Sequence, residues 1–231
     1  MRGLFVTATD TAVGKSVLSA ALLAAMRAEG LAVAAYKPVL TGIDEPPEGS
    51  WPPDHELLAL AAGMDPTAVA PLRFGPAVSP HLAAQLAGAR IAPEALVAPA
   101  ERLAAERGGG IVVEGVGGLL VPLDGGYLVR DLAAALALPV LIAARPGLGT
   151  INHTLLTLQA ARAAELNVLA VVLTPWPEDP AEIERSNRET IERLGEVDVA
   201  ALGAVSAPEL TLLAGAGQAL PWRRWWEASS S

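Results

Sequence analysis

Short unbroken apolar runs alternate along this chain with longer stretches of helical spacing. Gly3–Thr7 (Gly-Leu-Phe-Val-Thr) reads as a buried strand. Lys15–Glu29 is rich in Ala, Leu and Met and reads as a helix closed by Gly30. Ala32–Tyr36 is the second strand, with Lys37–Gly42 as its exit loop and Glu45–Pro53, which carries four prolines, as a mobile surface loop. Asp54–Ala62 is the next helix, Ser79-Pro80 opens a short one with proline in its first turn, and Pro93–Arg107 is longer. Gly110–Val113 is a strand running into Glu114. Leu128–Leu138 is helical, Val140–Ala143 a strand, and Thr150–Glu165 a helix with Thr150 as its N-cap. Val168–Leu173, an amphipathic helix over Pro180–Leu194, and a last strand at Ala201–Val205 complete the pattern.

Continuous apolar strands alternating with helices predict an α/β fold: a mostly parallel central sheet with helices on both faces. No internal repeat or linker stands out. The 231 residues are therefore read as one domain over 1–227, with 228–231 as a flexible tail. Ligands of such sheets bind outside the carboxyl ends of the strands. Lys15, Lys37 and Glu114 all fall at such ends.

Composition narrows the partners. The formal net charge is -9 and no basic run occurs, which argues against nucleic acid and anionic membranes. No apolar stretch of membrane-spanning length is free of charge, Pro or Gly, and the first residues run straight into a strand without a signal-peptide pattern. A cytoplasmic protein is expected. With no cysteine, thiolate metal sites, iron–sulfur clusters and cysteine nucleophiles are excluded; His55, His81 and His153 are too few and too scattered for a multi-histidine zinc site. Lys15 and Lys37 are the only lysines, every other basic residue being arginine. A compact ammonium kept at two loop positions points to a point charge in a tight space.

The chemistry is concentrated in Thr11–Ser16. Gly14-Lys15-Ser16 at the turn from strand to helix suits a phosphate: the backbone N–H groups at the helix start are unpaired, and the helix dipole favours an anion. Lys15 reaches the β- and γ-phosphates, and the Ser16 hydroxyl is a Mg²⁺ ligand. The first glycine of the usual G-x-x-x-x-G-K-[ST] pattern is missing, since Thr9 and Ala8 occupy the places where it is expected. Glu114, ending a buried strand before Gly115-Val116-Gly117-Gly118, needs a cation, either a metal or an arginine. Asp54 is either a second metal ligand or the N-cap of its helix. Gly147-Leu148-Gly149-Thr150 resembles a second anion site, with Asn152 and His153 in the first turn. Trp222, Trp225 and Trp226 form a base platform, an interface, or the packing of a last helix.

Taken in order, Phe5-Val6-Thr7 to Ser16, Tyr36-Lys37-Pro38-Val39 with Thr41-Gly42, Asp54, Val113-Glu114-Gly115-Val116-Gly117-Gly118, and Gly149-Thr150-Ile151-Asn152-His153 closely resemble the dethiobiotin synthetase family. The resemblance weakens after about Ala170. It implies a P-loop NTPase-like three-layer fold, a homodimer, and ATP-dependent carboxylation of 7,8-diaminononanoate by carbon dioxide through a carbamic–phosphoric anhydride. It further implies Lys37 and Lys15 as catalytic residues, and Mg²⁺ held by Ser16, Asp54 and Glu114. ATP contacts would fall at Thr11, Ala12, Val13, Gly14, Lys15, Ser16, Val17, Asp54, Glu114, Gly117, Thr174 and Pro175, with Ser206, Ala207 and Pro208 as the base-binding loop. Substrate contacts would fall at Thr41, Gly118, Gly149, Thr150, Ile151 and Asn152. Thr174-Pro175-Trp176 departs from the family, many of whose members carry Asn there. The alternative is a partition-type ATPase, a nucleotide switch acting on a protein partner. Such switches usually carry an extra early lysine in the phosphate loop, absent here, and give Lys37 no role.

Overall fold

The computed structural model describes residues 1–45 and 51–229. The chain runs β1 (Arg2–Ala8), α1 (Lys15–Ala28), β2 (Ala34–Tyr36), β3 (Val39–Thr41), α2 (Asp54–Ala62), α3 (Pro66–Val69), β4 (Leu72–Phe74), α4 (Pro80–Leu86) and α5 (Glu94–Glu106). It continues through β5 (Gly110–Glu114), β6 (Pro122–Asp124), β7 (Tyr127–Leu128), α6 (Val129–Leu136), β8 (Val140–Ala144) and α7 (Thr150–Ala163). The last elements are β9 (Val168–Trp176), α8 (Glu182–Gly195), β10 (Asp198–Gly203), α9 (Leu210–Gln218) and α10 (Trp222–Ala228).

Six strands form one parallel sheet in the order β10-β9-β8-β1-β5-β2. The expected α/β architecture is present, and the reason is visible in β1. Leu4, Val6 and Ala8 face one layer while Phe5 faces the other, so both faces of the strand must be apolar. One core lies between the sheet and α1, α2, α9 and α10; the other lies under α5, α6, α7 and α8. Because β1 is flanked by β5 and β8, the chain departs from it in both directions, and the crevice at that reversal faces the carboxyl ends of the central strands.

Several local signals hold. Gly30, at φ 81°, closes α1: its N–H bonds Arg27 O and the Leu31 N–H bonds Met26 O, the pair of contacts that defines a glycine-terminated helix end. Gly217 lets α9 settle on α1, since a methyl group there would collide with the Ala21 carbonyl. Other expectations need correction. Residues Val39–Thr41, read as an exit loop, form β3, which pairs in parallel with β4. Thr150 is not an N-cap: Gly149, at φ 90°, occupies that place and Thr150 is the first, buried helical residue. The last strand begins at Asp198, and β9 extends to Trp176. Ala228 and Ser229, expected to belong to a flexible tail, are held instead: Ala228 ends α10 and the buried Ser229 donates its hydroxyl to Trp226 O; residues 230–231 of that expected tail lie outside the described residues. The loop expected at Glu45–Pro53 lies in part outside them too, at 46–50. Among the described residues no helix is long and apolar enough to cross a membrane.

Candidate functional site

The site is assembled by strand register. Parallel pairing sets Tyr36 beside Val113 and Val6 beside Glu114. One residue past Tyr36 the chain leaves β2, so Lys37 emerges beside Glu114 at the same sheet edge as the loop after β1. The Lys37 N–H is held by Val69 O at 2.8 Å, and the Gly115 N–H by Val6 O at 2.9 Å. Lys37 and Glu114 are 3% and 1% exposed, burial that neither charge tolerates without a partner.

The partners are one another. Lys37 Nζ donates to Glu114 Oε1 at 2.5 Å and to Asp54 Oδ2 at 2.7 Å, and Ser16 Oγ donates to the same Glu114 oxygen at 2.9 Å. The cation for Glu114 is thus Lys37, not an arginine. Asp54 does not cap its helix: Pro53 stands at the N-cap, and Asp54, the first helical residue, turns its carboxylate to Lys37. Burial alone would lower the Lys37 pKa; the charges of Asp54 and Glu114, and the hydrogen bonds to both, hold it above the ordinary lysine value. Burial alone would raise the Asp54 pKa. The Lys37 charge and hydrogen bond, the Ser16 hydroxyl and the Lys15 charge outweigh it and bring the carboxyl to about 2. Lys15 is pushed down, first by burial and then by the charge of Lys37, with Glu114 and Asp54 opposing.

The phosphate loop sits against this cluster. Gly14 is the N-cap of α1 at φ 95°, and a methyl group there would stand 3.1 Å from Thr174 Cγ2. Ala8 needs no glycine: it ends β1 fully buried and packs in the same apolar layer as Val13. The left-handed backbone of the loop falls at Ala12, φ 55°, and at Gly14. Thr11, Ala12, Gly14, Lys15, Ser16, Val17, Lys37, Thr41, Asp54 and Gly117 line one cavity of ≈ 350 Å³. Leu40, Trp51, Pro52, Leu57 and Val116 line it as well and were missed. A lone Trp in a proline-rich segment just ahead of Asp54 was the available signal. Val13 is buried beneath the loop rather than lining it.

Other expected residues lie apart. Gly118 lines a neighbouring cavity of ≈ 370 Å³ with Thr9, Asp10, Thr11, Leu120, Leu156 and Thr157. Gly149, Thr150, Ile151 and Asn152 begin α7, the helix that supplies Leu156 and Thr157 to that second cavity. Thr174 is buried against Gly14, and Pro175 is exposed. Trp176 packs in the layer under α8, with the Arg188 guanidinium 5.9 Å from its ring. Ser206 borders a groove with Thr211 and Leu212 of α9, and Ala207 and Pro208 follow in the turn before that helix. The Trp cluster is core: Trp222, Trp225 and Trp226 are all buried, and Arg2 donates to Trp226 O while stacking on its ring.

Ser16 Oγ, Asp54 and Glu114 fit a hard divalent cation. They are all oxygen donors, and the buried Glu114 Oε2 has no hydrogen-bond partner. The arrangement offers backbone N–H groups, two ammonium groups and a divalent-metal corner, the parts needed to hold and transfer a phosphoryl group.

A family model described as an AAA domain matches residues 2–212. The chain is 47% identical over 212 residues to the ATP-dependent dethiobiotin synthetase BioD of Anaeromyxobacter sp. (strain K), covering 87% of this chain and 93% of that one. It is 38% identical over 204 residues to the protein of the same name from Bacillus subtilis (strain 168), covering 86% and 85%. A ParA family ATPase from Chlorobium tepidum has a similar fold, with a TM-score of 0.53 and 13% identity over 100% of this chain and 98% of that one.

Proposed function

The chain belongs to the dethiobiotin synthetase family, and from that premise we infer that it is an ATP-dependent carbon–nitrogen cyclo-ligase. It carboxylates 7,8-diaminononanoate with carbon dioxide and closes the ureido ring of dethiobiotin, releasing ADP and phosphate. One amine adds to carbon dioxide and loses a proton, giving a carbamate. A carbamate oxygen attacks the γ-phosphorus as the bond to ADP breaks. The second amine then attacks the carbamoyl carbon of the mixed anhydride and expels phosphate.

The observation that carries the residue assignment is the convergence of both lysines of the chain, buried, on one cavity with Ser16 and Asp54, with Glu114 held against Lys37 and Ser16. Lys15 and the N–H groups from Thr11 to Val17 hold the phosphates. Lys37 neutralises the carbamate and the phosphoryl group in flight, an electrostatic role. To reach them its ammonium exchanges Asp54 and Glu114 for the substrate oxygens. Ser16, Asp54 and Glu114 would hold Mg²⁺, which when bound supplies charge neutralisation at the β- and γ-phosphates.

Thr41, at the edge of the same cavity, Gly118, on the second one, and Gly149–Asn152, at the start of α7, hold diaminononanoate. The base lies toward Thr174, Pro175 and Ser206–Pro208. A second copy of the chain completes the substrate site as a homodimer. Leu120 and Leu156 on the second cavity and Leu148, 94% exposed just before α7, favour this face. The reaction needs no nucleic acid or membrane and belongs in the cytoplasm. The ParA family ATPase shares the fold alone and offers no use for Lys37.

The test is direct. Purified protein given diaminononanoate, bicarbonate, Mg²⁺ and ATP forms ADP and dethiobiotin in equal amounts. Formation of neither sinks the reading, and hydrolysis independent of diaminononanoate favours the switch.

A further inference from the structure

The sequence left the irregular phosphate loop without an account of what holds it. Its strained point is Ala12, a non-glycine residue at φ 55° on an exposed stretch. L-residues avoid this region because Cβ crowds the following carbonyl, and glycine is the usual occupant. In a loop whose N–H groups converge on an anion, the carbonyls face away, and those of an exposed turn are ordinarily left to water.

Here they are not. Arg145 Nη2 donates to Ala12 O at 3.1 Å and sits 3.5 Å from Thr11 O. Arg145 follows β8, the strand beside β1, and the two ends are tied a second time by the Thr9 N–H to Ala143 O at 3.0 Å. The segment bearing Arg145 is itself anchored. Asn187 of α8, largely buried, donates Nδ2 to Pro146 O at 2.9 Å and Gly147 O at 3.1 Å. On the other side Asp10 Oδ1 accepts the Thr11 N–H at 2.7 Å. Arg145 lies on the carbonyl side of the loop and does not line the cavity that holds the two lysines.

We propose that Arg145 is a positioning residue of the phosphate loop, whose guanidinium holds Ala12 in the left-handed conformation and keeps the loop formed for the nucleotide. The role rests on the reading of this loop as the ATP site. A glycine in place of Ala12 would adopt the same conformation without a clamp. The strained Ala12 and the arginine behind it are two halves of one device.

ADP titration by calorimetry, with steady-state kinetics and thermal melting, tests it on wild type, R145A, R145K, A12G and the A12G/R145A double variant. R145A is expected to weaken ADP binding about tenfold, the cost of losing a charged hydrogen-bond donor, with a larger change in KM for ATP than in kcat. In the A12G background the same substitution costs about threefold or less, because the strain that the clamp opposes is gone. R145K recovers part of the affinity, and carries the comparison should R145A fail to fold. Wild-type ADP affinity in both Arg145 variants, or an equal cost in the wild-type and A12G backgrounds, overturns the proposal. A wild-type protein that binds no ADP overturns the reading of the loop itself.

Discussion

Lys37 Nζ lies 2.5 Å from Glu114 Oε1, and the two residues stand 77 positions apart in the chain. Parallel pairing of β2 with β5 puts them side by side, and α2 brings Asp54 to the same ammonium. The two carboxylates proposed for the metal and the lysine proposed for the carbamate are therefore one connected group. A change at any member is felt by the others.

Lys37→Arg tests whether the site needs a point charge. Guanidinium keeps the charge but is broader and planar, and cannot sit between Asp54 and Glu114 in the space of an ammonium. Turnover is expected to fall by about two to three orders of magnitude, the range for losing one preorganised electrostatic group. ADP affinity should stay within a few-fold of wild type. Wild-type kcat in the arginine variant would refute the assignment.

Acid stability should report Asp54. Its folded pKa, about 2, lies below the unfolded value of about 3.9. A group depressed on folding contributes stability above its unfolded pKa and loses it as pH falls through the folded one. Urea midpoints of wild type should therefore drop between about pH 4 and about pH 2, and Asp54→Asn should show a shallower drop. The side chain is 42% exposed, so screening keeps the effect near or below about 1 kcal/mol. Parallel pH profiles of the two proteins would remove Asp54 from the account.

Gly14→Ala meets two obstacles at once: a backbone at φ 95° and the Thr174 methyl 3.1 Å from the new carbon. Nucleotide binding should weaken by about tenfold or more. Trimming the neighbour with Thr174→Ala removes both the methyl and the hydroxyl oxygen, which stands 3.2 Å from the new carbon, and relieves only the contact, so the double variant should stay impaired. Full recovery of ADP affinity in the double variant would show that crowding alone sets the requirement for glycine.

Trp225→Ala separates core from binding site. Trp225 is 2% exposed in the layer under α1, away from both cavities. Truncation should lower stability by about 3–5 kcal/mol. KM for ATP and for diaminononanoate should hold at temperatures where the variant is folded. A rise in either KM with little change in melting temperature would return the cluster to the role of a binding platform.

Much of this was written locally in the chain. The apolar runs of β1, β5 and β8, the turn at Gly14-Lys15-Ser16, the stop at Gly30 and the start of α2 at Asp54 are decided by residues a few positions apart, which is why they could be read in order. Spacing also marked Lys15, Lys37, Asp54 and Glu114 as unusual. It could not say what they do to one another. Whether Glu114 faced a metal or an arginine, and whether Asp54 capped its helix, depended on which strands are neighbours and in what register, a property of pairings between distant segments. The same holds for β3, three residues that pair with β4 only because α2 and α3 fold back, and for Trp51, whose place on the cavity no periodicity encodes. The sequence by itself determined a nucleotide fold with two singular lysines. Tertiary structure alone placed Lys37 between two carboxylates, because burial demands partners for those charges, and set Arg145 behind Ala12, because parallel pairing lays the end of β8 beside the end of β1.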